Sequence, residues 1–523
     1  MPRRSLPHVP GPLPHSHAHG RATVATSRTW KRATTRAGTL AAALLLLVGT
    51  PNLQAQNARG SQDARLDELR EQAWAEVDER SATLTALSAQ LWRLAEISLQ
   101  EHQSADALAD YLETQGFTVE RGVADMPTAF VARWGSGGPV IGILAEFDAL
   151  PGISNVAEAH QEPLAAGAPG HGCGHNLFGA GSVGAAVAAK AVMEAEGIDG
   201  TIVLYGAPAE ETVIGKVYMA RAGVFDDADV VLDWHPGHET GADYERSRAM
   251  NSFTVEFFGQ TAHGASDPWN GRSALDAVEL MNHAVNMMRE HLKPSIRIHY
   301  VIEDGGGAPN VVPDYAKVWY YVRDLERDGV EHAYDWILKA AEGAAMATET
   351  THQVHLITGV HSYLLNRTLV EVLDRNLRLA GAPEWTEEEQ AFAREIQRAT
   401  GKEEKGMHTG IDSLPDEEVP AQGGSTDVAE VSRIAPTAKI RVASSPLDTP
   451  WHAWPVVAAG GMSIGDKAML TAARTLAAAA IELTLSPDVV EAANAEFRER
   501  MDGETYQSPI PAGQKPPVED TGG

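Results

Sequence analysis

The chain has 523 residues, of which 43% are hydrophobic, and a formal net charge of −29 at pH 7. This length exceeds what one hydrophobic core normally supports, so we expect two domains. The negative charge argues against a nucleic-acid-binding protein, because phosphate binding needs a basic surface. Cys173 is the only cysteine, and no disulfide can therefore form within the chain.

Residues 1–55 have the pattern of a leader rather than of a folded segment. Arg32 and Arg36 precede an unbroken apolar run at 40–48. The run is too short to span a membrane as a mature helix but suits a signal peptide, with cleavage after Ala55. We therefore expect a periplasmic or secreted protein that has no membrane contact after processing. If the leader is not a true signal, the protein would stay in the cytoplasm.

Apolar strands alternate with helices after the leader, which predicts a parallel, doubly wound sheet. The strands are predicted at 139–145, 201–206 and 230–232, and a helix of small residues at 177–196. In such sheets ligands bind beyond the carboxyl ends of the strands. Polar clusters follow these strands, and we expect them to meet at one edge of the sheet.

The order of elements changes between residues 247 and 360. Strand, helix, strand, strand, helix and strand follow one another there, which is the order of a ferredoxin-like split unit. We therefore predict an α/β protein whose catalytic domain, with a doubly wound and mostly parallel sheet, carries an inserted α+β lid and dimerisation domain. The predicted divisions are a leader at 1–55, the catalytic domain at 63–246 and 361–487, the lid at 247–360, and a tail at 488–523 that is partly disordered.

Six side chains in the predicted catalytic domain are of types that bind zinc, manganese or cobalt. Each has an ordinary alternative explanation: a Cys-x-His pair is more often structural, paired glutamates are usually solvated, and a single histidine often bonds to the backbone. Their shared place near strand ends favours one metal site. Two nearby cations could share a thiolate and polarise an amide carbonyl while a glutamate accepts a proton. The six are Cys173, His175, Glu210, Glu211, His235 and His452.

Six short motifs are spread over most of the chain. They are Ala145-Glu-Phe-Asp-Ala-Leu-Pro151, Gly172-Cys-Gly-His-Asn176, Pro208-Ala-Glu-Glu211, Thr261-Ala-His263, Gly271-Arg-Ser-Ala-Leu-Asp276 and Gly306-Gly-Ala-Pro-Asn-Val-Val-Pro-Asp314. On these motifs the chain resembles metallopeptidase family 20, a family of metal-dependent aminoacylases and carboxypeptidases with a lid domain. Within it, the chain is most similar to the branch of p-aminobenzoyl-glutamate hydrolase B subunits.

The resemblance implies two divalent ions, zinc or manganese or else cobalt, and a small N-acyl amino acid or dipeptide-like substrate whose amide bond is hydrolysed. Glu210 would be the general base, and Asp148 would orient the ligand loop from behind. Some relatives have His-x-Asp at the end of the first strand, where the histidine binds metal. Glu146 stands at that position here and is left out of the ligand set. The implied ligands are Cys173 as the bridging group, His175, Glu211, His235 and His452.

On the lid, the resemblance implies that His263 reaches the neighbouring subunit's active site and steadies the oxyanion. The alternative is a histidine that only stabilises its own turn, capped by Thr261. Asn310 and Arg323 match positions that relatives use to recognise a carbonyl or a carboxylate. The resemblance thus implies a homodimer, or a heterodimer with a related second chain.

Several assignments stay open at this stage. Arg323 could instead form a surface ion pair with Asp324 or Glu326, and Asp427 could lie behind the ligands or cap a helix. Two further functional classes compete with a metal enzyme. One is a metal-free amidase in which His175 or His171 activates Cys173. The other is a ligand-binding protein that keeps the fold without turnover.

Overall fold

The computed structural model describes residues 50–518, with side chains from residue 64 onward. Asp63–Gly523 forms one compact unit, and the fold described below is that of this unit. The apolar run at 40–48 lies outside the described residues, and so does the side chain of Ala55. Export of the protein therefore stays a prediction, which N-terminal sequencing of the mature protein would test.

Helices and strands alternate through most of the described chain. The helices are α1 (Thr50–Glu79), α2 (Ser81–Leu94), α3 (His102–Thr114), α4 (His175–Glu196), α5 (Gly215–Arg221), α6 (Ala274–Met288), α7 (Arg327–Thr348), α8 (Arg367–Ala380), α9 (Glu387–Ala399), α10 (Val428–Val431), α11 (Trp454–Gly460), α12 (Ser463–Leu485) and α13 (Pro487–Met501). The strands are β1 (Thr118–Arg121), β2 (Phe130–Ser136), β3 (Val140–Glu146), β4 (Gly200–Ala207), β5 (Val230–Gly237), β6 (Gly241–Asp243), β7 (Ala249–Phe258), β8 (Arg297–Asp304), β9 (Tyr315–Asp324), β10 (Thr351–Val360) and β11 (Thr437–Ala443).

Seven strands form the larger sheet, in the order β1-β2-β4-β3-β5-β11-β6. Its four central strands are parallel, and the strands toward its edges are antiparallel. The central strands are buried along almost their whole length, as expected for parallel strands covered by helices on both faces. The predicted doubly wound, mostly parallel sheet is thus confirmed.

Strand β5 is longer than the sequence predicts. The apolar run ends at Leu232, but β11 pairs with β5 as far as Gly237. Pairing with β11 therefore extends β5 through Asp233, Trp234 and His235, which show no strand pattern in the sequence. As a consequence, His235 lies within the strand and not in the loop after it.

Two long apolar helices, α4 and α12, pack in the core of the catalytic domain. Both are long and apolar enough to cross a membrane by length and composition, yet 89% and 83% of their most apolar windows are buried inside the protein. Their small residues allow close packing. A Cβ at Gly179 of α4, for example, would lie only 2.9 Å from the Glu146 carbonyl oxygen. Helix α4 can therefore lie directly against the end of β3.

The lid is a four-stranded antiparallel sheet in the order β10-β7-β9-β8, with α6 and α7 against one face. Its strands and helices follow one another in the predicted order. On β9, alternate residues from Ala316 to Val322 are buried against the helices, whereas Lys317, Trp319 and Tyr321 point away from them. These three residues line a cavity of about 1390 Å³ whose other walls include the catalytic domain.

The C-terminal segment differs from the predicted, partly disordered tail. Helix α13 spans 487–501, and the chain after it stays packed as far as residue 518. Ile510 is buried, and the Gln514 amide donates hydrogen bonds to the carbonyl oxygens of Leu356 and Ile357 in β10. A composition rich in proline and glycine rules out a regular element here, but contacts with the rest of the fold still order the chain.

Candidate metal centre

Glu210 and Glu211 follow β4 in a turn that redirects the chain out of the sheet. Ala209 has a φ of +56°, a left-handed conformation that is uncommon for a residue with a Cβ and that tends to occur at functional sites. Its N–H donates to Glu101 Oε1 at 2.9 Å, and this buried carboxylate holds the turn. Adjacent side chains leave such a turn in different directions, so the two glutamates can have different roles.

His175 is the first residue of α4 and is oriented by Asp148. Its Nδ1 lies 2.9 Å from Asp148 Oδ1. The other oxygen, Oδ2, accepts hydrogen bonds from the Ser98 hydroxyl and the Glu211 N–H, both at 2.9 Å. Asp148 therefore fixes the histidine ring and the glutamate turn together, which is what its predicted orienting role requires. Burial is the largest influence on Asp148 and opposes its ionisation, but the hydrogen bond and charge of His175, together with the hydrogen bonds from Glu211 and Ser98, outweigh it and lower the pKa of Asp148.

The five side chains of the predicted ligand set form two groups that share one atom. Cys173, His175 and His235 make up the first group, and Cys173, Glu211 and His452 the second, with ligand atoms within 4.8 Å of one another in each group. The shared residue is Cys173, the predicted bridging ligand. His452 has a φ of +53°, and its N–H donates to the Gly172 carbonyl at 3.1 Å, which brings the loops of the two residues together.

The spacing of the ligand atoms fits tetrahedral ions. Atoms bound about 2.0–2.3 Å from such an ion lie roughly 3.3–3.6 Å apart. The distance from Cys173 Sγ to His235 Nε2 is 3.4 Å, and the distance from His452 Nε2 to Glu211 Oε2 is 3.5 Å. Two of the ligand side chains also carry buried atoms, His175 Nε2 and Glu211 Oε1, without a hydrogen-bond partner among the described residues.

The ring orientations turn Nε2 of two histidines toward the same space. His175 and His235 each use Nδ1 for an acceptor, Asp148 Oδ1 and the Pro236 carbonyl oxygen respectively. A histidine that donates its Nδ1–H in this way can bind a metal ion through Nε2. The donor set and its geometry therefore fit two divalent ions, which would be held by Cys173, His175, Glu211, His235 and His452.

Cys173 is buried, and the Trp451 indole N–H lies 3.3 Å from its sulfur. Burial and the nearby Glu211 carboxylate raise the pKa of the thiol to about 12. A cysteine nucleophile needs the opposite, a lowered pKa and a populated thiolate. In the absence of a cation this sulfur is thus a poor nucleophile, which disfavours the metal-free amidase.

Glu210 lies beside the group of Cys173, His175 and His235 but is not a member of it. Its Oε2 is 3.9 Å from His175 Nε2. Burial, together with the carboxylates of Glu146 and Asp427, raises the pKa of Glu210 well above its ordinary value. A carboxylate in such surroundings holds a proton more readily than a solvated one, as a general base that later returns the proton must.

A buried lysine behind the centre was not found from the sequence. Lys216 is fully buried, and its Nζ lies 2.8 Å from Glu146 Oε1 and 2.6 Å from Asp427 Oδ1. Asp427 Oδ2 also accepts the Lys216 N–H, so Asp427 does not cap α10 with its side chain. No sequence pattern marks Lys216, because a lysine on a short helix is usually solvated.

The three lid residues do not contact the ligand groups within the described chain. His263 is exposed, and its Nδ1 accepts the N–H groups of Ala265 and Ser266, both at 3.1 Å. Asn310 is next to it, because its carbonyl oxygen accepts the Gly264 N–H. Arg323 lies on β9, over the Tyr321 ring and beside Met250, and it forms neither of the alternative ion pairs. The turn contacts of His263 leave Nε2 available to a ligand or a partner.

Comparison with known proteins gives consistent results. The peptidase dimerisation domain of the M20 type matches residues 246–347. Over 458 residues the chain is 40% identical to the B chain of the p-aminobenzoyl-glutamate hydrolase of Escherichia coli (strain K12), and the match covers 83% of this chain and 95% of that protein. It is 28% identical to the Xaa-Arg dipeptidase of Mus musculus over 84% of this chain and 94% of the relative.

A solved structure has the same fold. A dinuclear metal-binding M20 peptidase from Bacillus subtilis superposes with a TM-score of 0.51 and 16% sequence identity. The match covers 78% of this chain and 99% of the solved one. The resemblance therefore extends over both the catalytic domain and the lid.

Proposed function

Since this chain belongs to metallopeptidase family 20, in the branch of the p-aminobenzoyl-glutamate hydrolase B subunits, we propose that it hydrolyses the amide bond of an aroyl-glutamate such as p-aminobenzoyl-glutamate. The enzyme is a metal-dependent amidohydrolase of small acyl amino acids. The observation that carries the proposal is the pair of ligand groups joined at Cys173, with Glu210 beside them.

Two bound divalent ions would polarise the amide carbonyl and make a water molecule more acidic. Glu210 accepts a proton from this water, and the resulting hydroxide attacks the carbonyl carbon. The C–N bond then breaks as Glu210 returns the proton to the leaving nitrogen, giving an acid and an amine. Asp148 keeps both His175 and the Glu211 turn in place during these steps. We propose zinc or manganese as the native ions, because thiolate and imidazole ligands suit zinc and carboxylate ligands suit manganese.

A panel of acyl amino acids tests the substrate. We expect p-aminobenzoyl-glutamate to be cleaved with the highest kcat/KM, and benzoyl-glutamate with a similar value. p-Aminobenzoyl-arginine is the matched control, since it keeps the acyl group and reverses the side-chain charge. Preference for the arginine compound would instead support the specificity named for the dipeptidase relatives. Failure to cleave any member by protein that holds two ions would contradict the proposed function.

We propose that His263 acts across a dimer, on the active site of the neighbouring subunit. Its support is the match to the peptidase dimerisation domain and the free Nε2 of an exposed histidine. We expect His263→Ala to lower kcat about 100-fold or more, since removal of one oxyanion donor has effects of that size. The test requires that this chain pairs with a second copy of itself.

Co-expression of two inactive variants separates action across the dimer from action within one subunit. A mixed dimer of His263→Ala and Glu210→Gln chains has one site with both residues intact only if His263 acts on its neighbour. Random pairing should then restore about a quarter of the wild-type sites. If His263 acts within its own subunit, the co-expressed protein will stay as inactive as either variant alone.

A further inference from the structure

The turn that carries Glu210 is closed by a residue in an uncommon backbone conformation. Val213 is buried and has a φ of +57°. This left-handed conformation is an outlier for a β-branched residue, and such residues persist only where their surroundings hold them. The Val213 N–H donates to the Glu210 carbonyl oxygen at 2.7 Å, which closes a four-residue turn. The conformation of Val213 therefore determines how the turn presents Glu210.

The Val213 carbonyl group is bound by a side chain of the lid. Thr358, near the end of β10, is fully buried, and its hydroxyl donates to the Val213 carbonyl oxygen at 2.6 Å. No other hydrogen bond to this oxygen is found in the part of the chain that the structure describes. Because a buried carbonyl without a donor is costly, the Thr358 hydroxyl stabilises the strained residue directly. This contact joins the lid to the turn of the general base.

An irregularity in β10 places Thr358 at the turn. The pairing of β10 with β7 shifts register between Leu356 and Thr358, which leaves Ile357 as an extra residue. Such a bulge bends the strand and redirects the side chains beside it. The Gln514 amide donates hydrogen bonds to the carbonyl oxygens of Leu356 and Ile357, at 2.7 and 3.1 Å. The C-terminal segment therefore fixes the bulge, and with it the position of the Thr358 hydroxyl.

The two glutamates of the turn have separate supports. The Glu211 N–H donates to Asp148 Oδ2 at 2.9 Å, and this bond lies within the catalytic domain. At the Glu210 end, the carbonyl group is bound by Val213, and Val213 is bound by Thr358 of the lid. Loss of the Thr358 hydroxyl should therefore displace the Glu210 end of the turn and leave the Glu211 end anchored.

We propose that Thr358 is a positioning residue for the general base: through Val213, its hydroxyl holds the turn in the conformation that directs Glu210 at the reacting water. Thr358 is itself fully buried and belongs to none of the ligand groups. The inference rests on the proposed function, in which Glu210 takes a proton from water. Since Thr358 is part of the lid, a displacement of β10 that breaks this bond releases the turn, so lid position and catalysis are coupled.

Thr358→Val tests the proposal, because it replaces the hydroxyl by a methyl group of similar size and keeps the branched side chain. We expect kcat to fall at least about 10-fold, since small displacements of a catalytic group have large effects on rate. KM should change less than about threefold, because Thr358 does not line the cavity between the domains. Both ions should stay bound, since Glu211 keeps its anchor. Thr358→Ser keeps the hydroxyl and should retain a kcat close to that of the wild type.

Thr475→Val is the matched control. Thr475 is fully buried in α12, and its hydroxyl donates to the Thr471 carbonyl oxygen at 2.9 Å, so the variant loses the same kind of bond away from the turn. We expect it to lower the unfolding temperature but to leave kcat within about twofold of the wild type. A kcat of Thr358→Val equal to that of the control, an equal loss in Thr358→Ser, or loss of an ion from Thr358→Val would overturn the proposal.

Hydrogen–deuterium exchange measures the same effect without turnover. The Val213 N–H is protected by its bond to Glu210, so peptides covering 208–215 should exchange at least about 10-fold faster in Thr358→Val than in the wild type or the control. Unchanged exchange in this segment would contradict the proposal. Hydrolysis of the acyl amino acid panel by the wild type is assayed in parallel. If the wild type cleaves no member, the proposed function fails, whereas the exchange rates still decide whether Thr358 holds the turn.

Discussion

Glu210→Gln is expected to lower kcat by a factor of about 10⁴, the upper range for a general base, while both ions stay bound. The amide has the size of the carboxylate but cannot accept a proton from water. Glu210 Oε2 is 3.9 Å from His175 Nε2, and Glu210 is not one of the five predicted ligands. The measurement is kcat for the preferred acyl-glutamate, together with the metal content of the purified protein.

Glu211→Gln is the matched control, one residue away in the same turn. It removes a carboxylate that lies 3.5 Å from His452 Nε2, so it should lose metal as well as activity. The pair therefore separates a base from a ligand. Loss of an ion from Glu210→Gln, or turnover above about a tenth of the wild type, would show that Glu210 is not the base that the mechanism requires.

The parts of the fold that could be predicted are those with a regular apolar period. The run from Val140 to Ala145 and the alternation along β9 identify a doubly buried strand and a one-sided strand without further information. The end of β5 could not be predicted in this way, because its last residues form a strand only through pairing with β11. The C-terminal segment was missed for a similar reason, since Gln514 is ordered by bonds to β10 and not by any local period.

The candidate site was predictable to the extent that its chemistry is concentrated in short motifs. Cys173 and His175 are two residues apart, and the residue types of the ligand set are unusual together. Lys216 was not predictable, because its role depends on two carboxylates, at positions 146 and 427, that only the fold brings to it. His263 shows the opposite limit: the sequence suggests a role, but within the described chain this exposed side chain contacts only its own turn.

Removal of metal is expected to abolish activity completely, and the state of Cys173 then distinguishes a metal enzyme from a cysteine amidase. After chelation the thiol is buried and burial raises its pKa to about 12, so very little of it is ionised at pH 7. We expect the chelated protein to react slowly with iodoacetamide and to regain activity when zinc, manganese or cobalt is added. The measurements are activity and the mass of the Cys173 peptide.

Alkylation completes this test, because it removes the one atom that both ligand groups share. Protein alkylated after chelation should no longer regain activity with any of the three ions, whereas protein loaded with metal before alkylation should be protected. A cysteine nucleophile would behave in the reverse way: the chelated protein would keep its activity and lose it only on alkylation. Burial and the nearby Glu211 carboxylate raise the pKa of Cys173, which favours the outcome expected of a metal enzyme. At this position a thiolate forms readily only when it is bound to a cation.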